Sequence, residues 1–342
     1  MTSPSQAAVV GEDAGLVAEA PMPAGADAKK LEGRSPGQLM WIRFKRDRTG
    51  VISGCVVLFF FLIAALAPVI SKLYGKDPYT LYARKDFDLL DDYGLPSGPN
   101  GGISGDFWFG VEPGLGRDVF TQLLYGMRTT LYMALLITIV TVVTGVIIGL
   151  IGGYAGGRTD YWLGRITDFF MSFPSQLFMI AVTPVVVSLF VGRNEEVPTY
   201  IRAFSIIAVL WFLGWMGMSR LIRGVTLSLR EREYVEAARV AGASRWRILR
   251  KELLPNVVTP ILVQGTYLLP GTMLSVAFLS YVGVGFTEPT PDWGRMFAKA
   301  GHIYENAPTY MFFPGVAMVI FVVAFNLFGD SVRDAFDPKS GR

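Results

Sequence analysis

Side chains that bind metals or perform covalent chemistry are scarce in this chain. Its 342 residues include one cysteine, Cys55, and one histidine, His302. A single cysteine excludes a disulfide framework and a cysteine-based metal site within the chain, and a lone histidine does not make a metal site. We interpret Cys55 as a packing residue and His302 as a surface residue. The GxxxxGK[ST], HExxH and GxSxG motifs are also absent, so the sequence offers no catalytic constellation.

Charged residues are few as well, at 17%, whereas 51% of the residues are hydrophobic and the mean hydropathy is +0.41. This composition is too apolar for an ordinary soluble domain. A bilayer core requires roughly 20 apolar helical residues per crossing, and six runs of about that length follow one another. No Lys, Arg, Asp or Glu lies in the central part of any run. The runs cover residues 51–71, 129–154, 166–192, 203–219, 257–283 and 310–328.

These runs predict an all-α membrane protein with six transmembrane helices. Long continuous apolar stretches do not alternate as the strands of a membrane barrel do, and only helices or closed barrels satisfy their backbone groups in lipid. Prolines inside or at the ends of the runs remove helical hydrogen bonds, so bent helices are expected. These prolines are Pro174, Pro184, Pro260, Pro270 and Pro314.

Basic residues predict the orientation of the spans. The segment before the first run carries Arg43, Lys45, Arg46 and Arg48 against Asp47. The loop at 220–256 has nine basic and four acidic residues, whereas the loop at 72–128 has six basic and eight acidic ones. Because cytoplasmic loops are enriched in Lys and Arg, both chain termini are expected in the cytoplasm. The charges are juxtamembrane, so no nucleic-acid partner is expected.

The strongest local pattern is EYVEAARVAGASRWRILRKELLPN, at 233–256 in the basic loop. It predicts two short helices with a hinge at Gly242, which can adopt the left-handed conformation that ends a helix. Ser244 is a predicted N-cap for the second helix, which Pro255 is expected to end. Acidic residues suit the start of the first helix, and alanines keep one of its faces small. Such a projecting helix is suited to docking into another protein.

This spacing resembles the EAA loop of ABC importer permeases, in which Glu-Ala-Ala is followed by three residues, Gly, and later Leu-Pro. One departure lies at Glu252, where that pattern has Ile. The resemblance implies a coupling helix that sits in a cleft of a separate ATPase subunit. The matching, ATPase-coupling residues are Glu236, Ala237, Ala238, Gly242, Leu254 and Pro255.

Three further stretches, at 109–131, 280–296 and 314–338, resemble the dipeptide, oligopeptide and nickel permeases, and specifically their C-type second subunit. The first departs at Val111 and Glu112, where the family has Thr-Asp. Structural roles for the motif residues stay open: Arg117 and Asp118 would pair at the membrane surface, Trp293 would anchor at the interface, and Asn326 would pack between helices or line the pathway. The motif residues are Gly116, Arg117, Asp118, Asp292, Trp293, Gly294 and Asn326.

Gly145, Gly149 and Gly153 form a small-xxx-small row that predicts a close approach of two helices. The first 40 residues are rich in Ala, Pro, Gly and Ser and lack periodicity, and this composition predicts a disordered cytoplasmic tail at 1–40. The resemblance is consistent with a first transmembrane helix and extracytoplasmic loop at 41–128, a core permease domain at 129–338 containing the coupling loop 220–256, and a C-terminal tail at 339–342. It covers about residues 41–338.

The resemblance implies a type I importer architecture in a bacterial-type cell membrane. This chain would form half of a peptide pathway with a second homologous permease, two ATP-binding subunits and an extracytoplasmic substrate-binding protein. It would hold no cofactor or metal itself, since ATP and Mg would bind the partner subunits. The alternative from another class is a stand-alone channel or secondary transporter. Such proteins place functional ionisable groups within their spans, and the central parts of these spans carry none.

Overall fold

The computed structural model describes residues 36–84, 86–192, 195–305 and 307–336, and within these ranges the chain is helical. Short turns at Tyr82–Arg84, Phe87–Leu89 and Pro99–Gly102 shape the long first loop. Isolated β-bridges join Leu90 to Pro96 and Val111 to Asp118. The helices are α1 (Pro36–Arg46), α2 (Arg48–Tyr74), α3 (Val119–Ala155), α4 (Gly157–Met171), α5 (Ser175–Ser188), α6 (Thr199–Leu229), α7 (Glu233–Val240), α8 (Arg245–Tyr281), α9 (Trp293–Ala300) and α10 (Pro308–Phe336).

Six spans are present when a bent pair is counted as one. Helices α2, α3, α6, α8 and α10 are each long and apolar enough to cross a membrane, and α4 with α5 forms a sixth span that bends by 90°. The run at 166–192 was predicted as one span, and the structure breaks it at Pro174. Proline has no N–H to donate and clashes with the preceding turn, so it permits the bend at this position.

Several helices extend beyond the apolar runs that predicted them. Helix α3 begins at Val119 and α6 continues to Leu229, well past the charged residues that ended the runs. Arg128, Arg220 and Arg223 are therefore helical. A charge at the membrane surface ends an apolar run without ending a helix, because the long Arg side chain extends towards the polar phase. The basic loop is consequently shorter than 220–256.

The predicted glycine row lies where α3 and α6 pack together, and its prediction is confirmed. A Cβ atom added at Gly149 would lie 2.7 Å from the Ser219 carbonyl oxygen. Equivalent atoms at Gly145 and Gly153 would approach Met218 Cβ to 2.6 Å and Thr226 Cβ to 2.7 Å. Only hydrogen fits at these positions, so the two backbones come into direct contact.

The principal core joins α2, α3, α8, α9 and α10. Trp293 and Phe321 are fully buried in it, and Leu131 and Met273 contribute the facing side chains of α3 and α8. Helix α2 begins next to the end of α10, where a Cβ at Gly50 would lie 2.7 Å from Ser331 Cβ. Both ends of the described chain therefore lie on the same side of the bundle.

Three local predictions are wrong. Residues 36–40, expected in a disordered tail, belong to α1; residues 1–35 and the predicted tail at 339–342 lie outside the described residues. Cys55, expected to pack inside, is exposed on α2. The second coupling-loop helix does not end at Pro255 but continues through it into the fifth span, so α8 is one helix of 37 residues.

Candidate functional site

Helix α7 is the first helix of the EAA stretch, and its ends follow the sequence prediction. Glu233 and Glu236 occupy its first turn, where negative charge favours the helix dipole. Gly242 follows the helix with φ of +79°, the left-handed conformation that glycine adopts without a Cβ penalty. The Ala243 N–H donates to the Ala238 carbonyl at 3.0 Å and closes the helix end.

The two faces of α7 differ in what they contact. Val235 is fully buried, and Ala238 packs against the same cluster, which includes Ile222 of α6 and Leu253 of α8. Ile248 and Leu253, near the start of α8, belong to the same cluster. We call the contact surface formed by Val235, Ile248 and Leu253 the α7 seat. The inner face therefore fixes the helix to the ends of α6 and α8.

The outer face of α7 is exposed. Residues spaced by three and four positions share one helix face, and here they are exposed: Glu233, Glu236, Ala237 and Val240. Val240 is 84% exposed. The centre of this surface is small and apolar, and its edge is acidic. We call these four residues the α7 outer face.

Helix α8 begins as predicted, since the Ser244 side chain accepts a hydrogen bond from the Arg247 N–H at 3.3 Å. The predicted apolar face at Trp246, Leu249 and Leu253 is only partly correct. Leu253 is buried and Leu249 half-buried, but Trp246 is 70% exposed. A wider π-helical turn at Ile248–Leu253 precedes Pro255, and such turns accommodate a residue that cannot donate to the helix.

At the opposite end of the bundle, the loop before α3 is joined to the loop after α8 by ion pairs. Arg117 is 2% exposed, and its Nε atom lies 2.5 Å from Glu112 Oε2. Its Nη1 and Nη2 atoms donate to Glu288 at 2.6 and 2.9 Å. Arg117 and Asp118 were expected to pair at the surface; instead Arg117 is buried between two glutamates. A guanidinium matches this arrangement because its planar donors serve two carboxylates at once.

Glu112 also holds α9 and α10. Lys299 Nζ donates to Glu112 Oε1 at 2.8 Å, and the Tyr310 hydroxyl donates to the same atom at 3.1 Å. Burial opposes ionisation of Glu112, but the hydrogen bonds and charges of Arg117 and Lys299 prevail and hold its pKa below the ordinary value. The pKa of Glu288 is lowered in the same way, against burial, by Arg117 and Arg295. Both carboxylates are therefore charged at neutral pH.

Asp118 caps helix α3 rather than pairing with its neighbour. Its Oδ1 atom accepts from the Thr121 N–H at 2.7 Å, and its Oδ2 atom accepts from the Tyr74 hydroxyl at 3.1 Å. Burial raises the pKa of Asp118, with these hydrogen bonds acting in the opposite direction. The contact with Tyr74 ties the end of the first span to the start of the second.

Asp292, Trp293 and Gly294 are buried at the start of α9. Asp292 caps this helix through the Arg295 N–H at 3.1 Å and accepts from the Thr130 hydroxyl at 2.9 Å; its complete burial raises its pKa. Trp293, expected at the membrane interface, is fully buried and donates to the Leu123 carbonyl at 3.1 Å. A Cβ at Gly294 would lie 1.9 Å from the Ala277 carbonyl oxygen.

The two remaining motif residues have different environments. Gly116 has φ of +67° and packs against Ala83, which a Cβ would approach to 2.3 Å. Asn326 is exposed on α10, and its packing between helices or along the pathway stays a prediction. The structure thus brings Gly116, Arg117 and Asp118 next to the segment that contains Asp292 and Trp293, and leaves Asn326 apart.

The ion pairs and hydrogen bonds around Arg117 form a cap over this end of the bundle, made of Arg117, Glu112, Glu288, Lys299 and Tyr310. The sequence analysis did not predict the partners of Arg117 in this cap. Glu112 was noted only as a departure from the family pattern, and Glu288, Lys299 and Tyr310 were not singled out. The available signal was the spacing of Arg295 and Lys299, which places two cations on one face of a short helix. Among the described residues, no group of His, Cys, Asp and Glu is arranged to hold a metal ion.

A short helix lies between the fourth and fifth spans of the bundle, and the third span is broken at Pro174. The chain is similar in structure to the MetNI methionine ABC transporter in inward-facing conformations, with a TM-score of 0.51, 23% identity, and coverage of 63% of this chain and 96% of the other. At this identity the likeness concerns the fold alone.

Two family models match the chain. The model described as the binding-protein-dependent transport system inner membrane component matches residues 145–342, more than half of the chain. The model described as the N-terminal TM domain of oligopeptide transport permease C matches residues 35–93. The chain therefore belongs to the binding-protein-dependent transport system inner membrane component family, as a permease subunit of the C type.

Curated relatives match over nearly the whole length. The chain is 33% identical to the dipeptide transport system permease protein DppC of Bacillus subtilis, over 93% of this chain and 90% of the relative. It is 33% identical to the oligopeptide transport system permease protein OppC of Haemophilus influenzae, over 91% of each. It is also 35% identical to the glutathione transport system permease protein GsiD of Escherichia coli, over 90% and 91%.

These matches confirm the main features of the sequence interpretation. The chain is a multi-pass permease subunit of an ABC importer in the bacterial plasma membrane, and its role is transport rather than catalysis. A stand-alone channel or secondary transporter is not what this family contains. Permeases of this kind act with another permease, an ATPase and a binding protein.

Proposed function

We propose that this chain forms half of an import pathway for small peptides and transmits the ATPase cycle to it through the α7 outer face. The observation that carries the coupling role is the contrast between the two faces of α7: Val235 is seated against α6 and α8, whereas Ala237 and Val240 face outward. A helix fixed to two spans on one side and free on the other can transfer a displacement from a bound partner to those spans.

The proposed assembly contains a second homologous permease, two ATP-binding subunits and an extracytoplasmic substrate-binding protein. ATP and Mg bind the ATPase subunits, and this chain holds no cofactor. The excess of Lys and Arg around α7 supports a cytoplasmic location for that end of the bundle, and hence for both chain termini. The ion-paired cap around Arg117 then faces the substrate-binding protein.

In the proposed cycle, ATP binding closes the two ATPase subunits and moves their docked α7 helices together. The movement reaches α6 and α8 through the seat formed by Val235, Ile248 and Leu253, and the pathway opens outward. Hydrolysis returns the inward-open state. The proposed ATPase-coupling residues are those of the EAA pattern, and Gly242 matters because its left-handed backbone sets the angle between α7 and α8.

Peptide as the substrate class is supported by the printed functions of the relatives, which are dipeptide, oligopeptide and glutathione transport. All three substrates share amide bonds in a short chain. Uptake of radiolabelled di- and tripeptides, glutathione and a nickel chelate by the reconstituted importer tests this proposal. Uptake confined to the nickel chelate would contradict it.

The coupling role is tested with Glu236→Lys and Gly242→Pro in the reconstituted importer. We expect both variants to insert normally and to lose most of the peptide uptake that accompanies ATP hydrolysis. Glu231→Lys is the matched control, since it makes the same charge change on a side chain that lies outside the α7 outer face and pairs with Arg230. Wild-type uptake in both test variants would remove the coupling assignment.

A further inference from the structure

An apolar groove of about 400 Å³ lies between α3 and the first part of α8, at the end of the bundle that carries α7. One wall comes from within residues 142–151 of α3, and the other from within residues 246–261 of α8. The α3 wall rises by about 15 Å, which is half the thickness of a bilayer core. Because α3 ends at Ala155, the groove reaches to about one turn from the end of that span. It therefore has the depth of one leaflet.

The walls of the groove are made for hydrocarbon. Apart from Arg250, the residues that line it are aliphatic, with one tryptophan. Val143, Ile147 and Ile151 form its exposed rim on α3, and Leu254 is half-buried on α8. An acyl chain can enter such a groove without burying a polar group of the wall, so its entry carries no desolvation cost for the protein.

The end of the groove nearest α7 is formed by Trp246 and Arg250. These residues are four positions apart and share one face of α8. Both are exposed, Trp246 by 70%. The exposed surface of the walls is almost entirely apolar, so the aliphatic stem of Arg250 lines the groove and its guanidinium extends beyond it. A tryptophan and an extended arginine at the end of a span are typical of the level of lipid headgroups.

The positive charge at this end is not neutralised within the described part of the chain. Arg245, Arg247, Arg250 and Lys251 lie in the first two turns of α8, and all four are exposed. None of them belongs to an ion pair among the described residues. Clustered cations beside a span attract anionic lipid headgroups. The groove thus combines an apolar interior with a positive mouth.

We propose that this groove binds an anionic phospholipid of the surrounding bilayer. One acyl chain lies between α3 and α8 against Val143, Ile147 and Leu254, and the phosphate lies beside the Arg250 guanidinium. A zwitterionic lipid with the same chains binds less tightly, because its own cationic group offsets the charge of its phosphate. The assignment to the cytoplasmic leaflet rests on the location proposed above for this end of the bundle, whereas the binding itself does not.

The test uses the complete importer in phosphatidylcholine nanodiscs that contain a trace of phospholipid with a photoreactive diazirine in its acyl chain. After illumination, mass spectrometry of proteolytic peptides locates the labelled residues. We expect the phosphatidylglycerol probe to label residues 142–151 and 246–261 in preference to the other exposed spans, and the phosphatidylcholine probe to show no such preference. Equal labelling of all exposed spans by both probes would indicate bulk lipid only and would overturn the inference.

Arg250→Gln tests the headgroup contact, with labelling measured on residues 142–151. We expect labelling by the phosphatidylglycerol probe to fall about fivefold, the effect of one cation at the membrane surface. Arg239→Gln is the matched control, because Arg239 is also exposed and outside the described ion pairs but does not line the groove. It is expected to keep the labelling of wild type. No loss in Arg250→Gln, or equal losses in the two variants, would overturn the inference.

Val143→Trp tests the acyl-chain contact by filling the groove, with labelling measured on residues 246–261. We expect phosphatidylglycerol labelling to fall to the level of phosphatidylcholine. Leu136→Trp is the matched control: Leu136 lies seven positions earlier on the same face of α3, is 47% exposed where Val143 is 52% exposed, and does not line the groove. Its labelling should equal that of wild type, and equal losses in both variants would contradict the inference.

Other occupants of the groove give different results. Loss of a subunit from the purified Val143→Trp importer would show that protein covers this face, and would overturn lipid binding. Abolition of the labelling by excess inorganic phosphate would show a site for free phosphate instead. The labelling requires no transport, so its outcome is independent of the peptide and coupling proposals.

Discussion

Arg117 and Glu288 are 171 residues apart in the sequence and share two hydrogen bonds, of 2.6 and 2.9 Å. The pair joins the entrance of the second span to the loop that follows the fifth. With Glu112, which also binds Lys299 and Tyr310, it forms a cap over one end of the bundle. The family motifs that looked separate in the sequence are therefore parts of one structural unit.

Removal of Arg117, the central cation of this cap, is expected to destabilise the folded chain. Arg117→Met leaves buried Glu112 with less compensation, so we expect the free energy of unfolding to fall by about 3–5 kcal/mol. Arg117→Lys should recover only part of this loss, because an ammonium cannot serve both carboxylates with a fixed fork. Thermal unfolding of the purified chain in lipid nanodiscs measures both.

The control for this prediction is Arg220→Met, which breaks an exposed pair with Asp168. Exposed pairs contribute about 0–1 kcal/mol, so its unfolding midpoint should stay close to that of wild type. Equal destabilisation by the two methionine variants would contradict the structural importance of the cap.

The cap also predicts a dependence of stability on pH. The folded pKa of Glu112 is below its ordinary value of 4.5, so on acidification through that value the unfolded chain takes up a proton before the native chain does. This contribution to stability is present above pH 4.5 and is lost as pH falls through the folded pKa. Glu288 acts in the same direction, whereas buried Asp118 and Asp292, with raised pKa values, act in the opposite one.

Glu112→Gln isolates the contribution of one carboxylate to this pH dependence. The variant should be less stable than wild type at pH 6, and the difference should shrink as the pH is lowered from 5 towards 3. Unfolding midpoints of both proteins across that range provide the measurement. A difference that stays constant with pH would show that Glu112 is not a charged partner of Arg117.

The glycine row predicts that no side chain larger than hydrogen fits at these positions between α3 and α6. Gly149→Leu places side-chain atoms against the Ser219 backbone and should separate the two helices, with little folded chain recovered. Gly217→Ala is the matched control on α6, since a Cβ there meets nothing within 4 Å. It should be neutral or stabilise the chain by up to about 1 kcal/mol through helix propensity. Yield of monodisperse protein in detergent distinguishes the two results.

Gly294→Ala tests the junction of α9 with α8. The added Cβ would lie 1.9 Å from the Ala277 carbonyl oxygen, and a backbone atom in a packed helix cannot move aside as a side chain can. We expect destabilisation of at least about 2 kcal/mol. Gly301→Ala, where the nearest atom is at 3.5 Å, should have little effect. If both variants melt with wild type, the close contact at Gly294 is not present in the protein.

Much of the architecture was predictable because it depends on local chemistry. The number of spans follows from apolar run length, the cap of α8 from Ser244, and the end of α7 from Gly242. The close approach of α3 and α6 follows from a glycine repeat on one face. Each of these features is encoded within a few turns of one helix.

Features that depend on distant residues could not be predicted in the same way. Nothing in the sequence around Glu288 indicated that it would bind Arg117. The bend angle at Pro174 could not be predicted either, because a proline permits a bend without setting its angle.

The sequence by itself determined that this protein crosses a membrane about six times, carries a short helix between its fourth and fifth spans, and contains none of the GxxxxGK[ST], HExxH and GxSxG motifs. Apolar length, glycine placement and motif spacing are sufficient for this. Only the tertiary structure decided which charges are buried together in the cap and which face of α7 is exposed. These properties arise from contacts between helices that are far apart in the sequence. Such contacts depend on how all the helices pack together, which no local sequence pattern specifies.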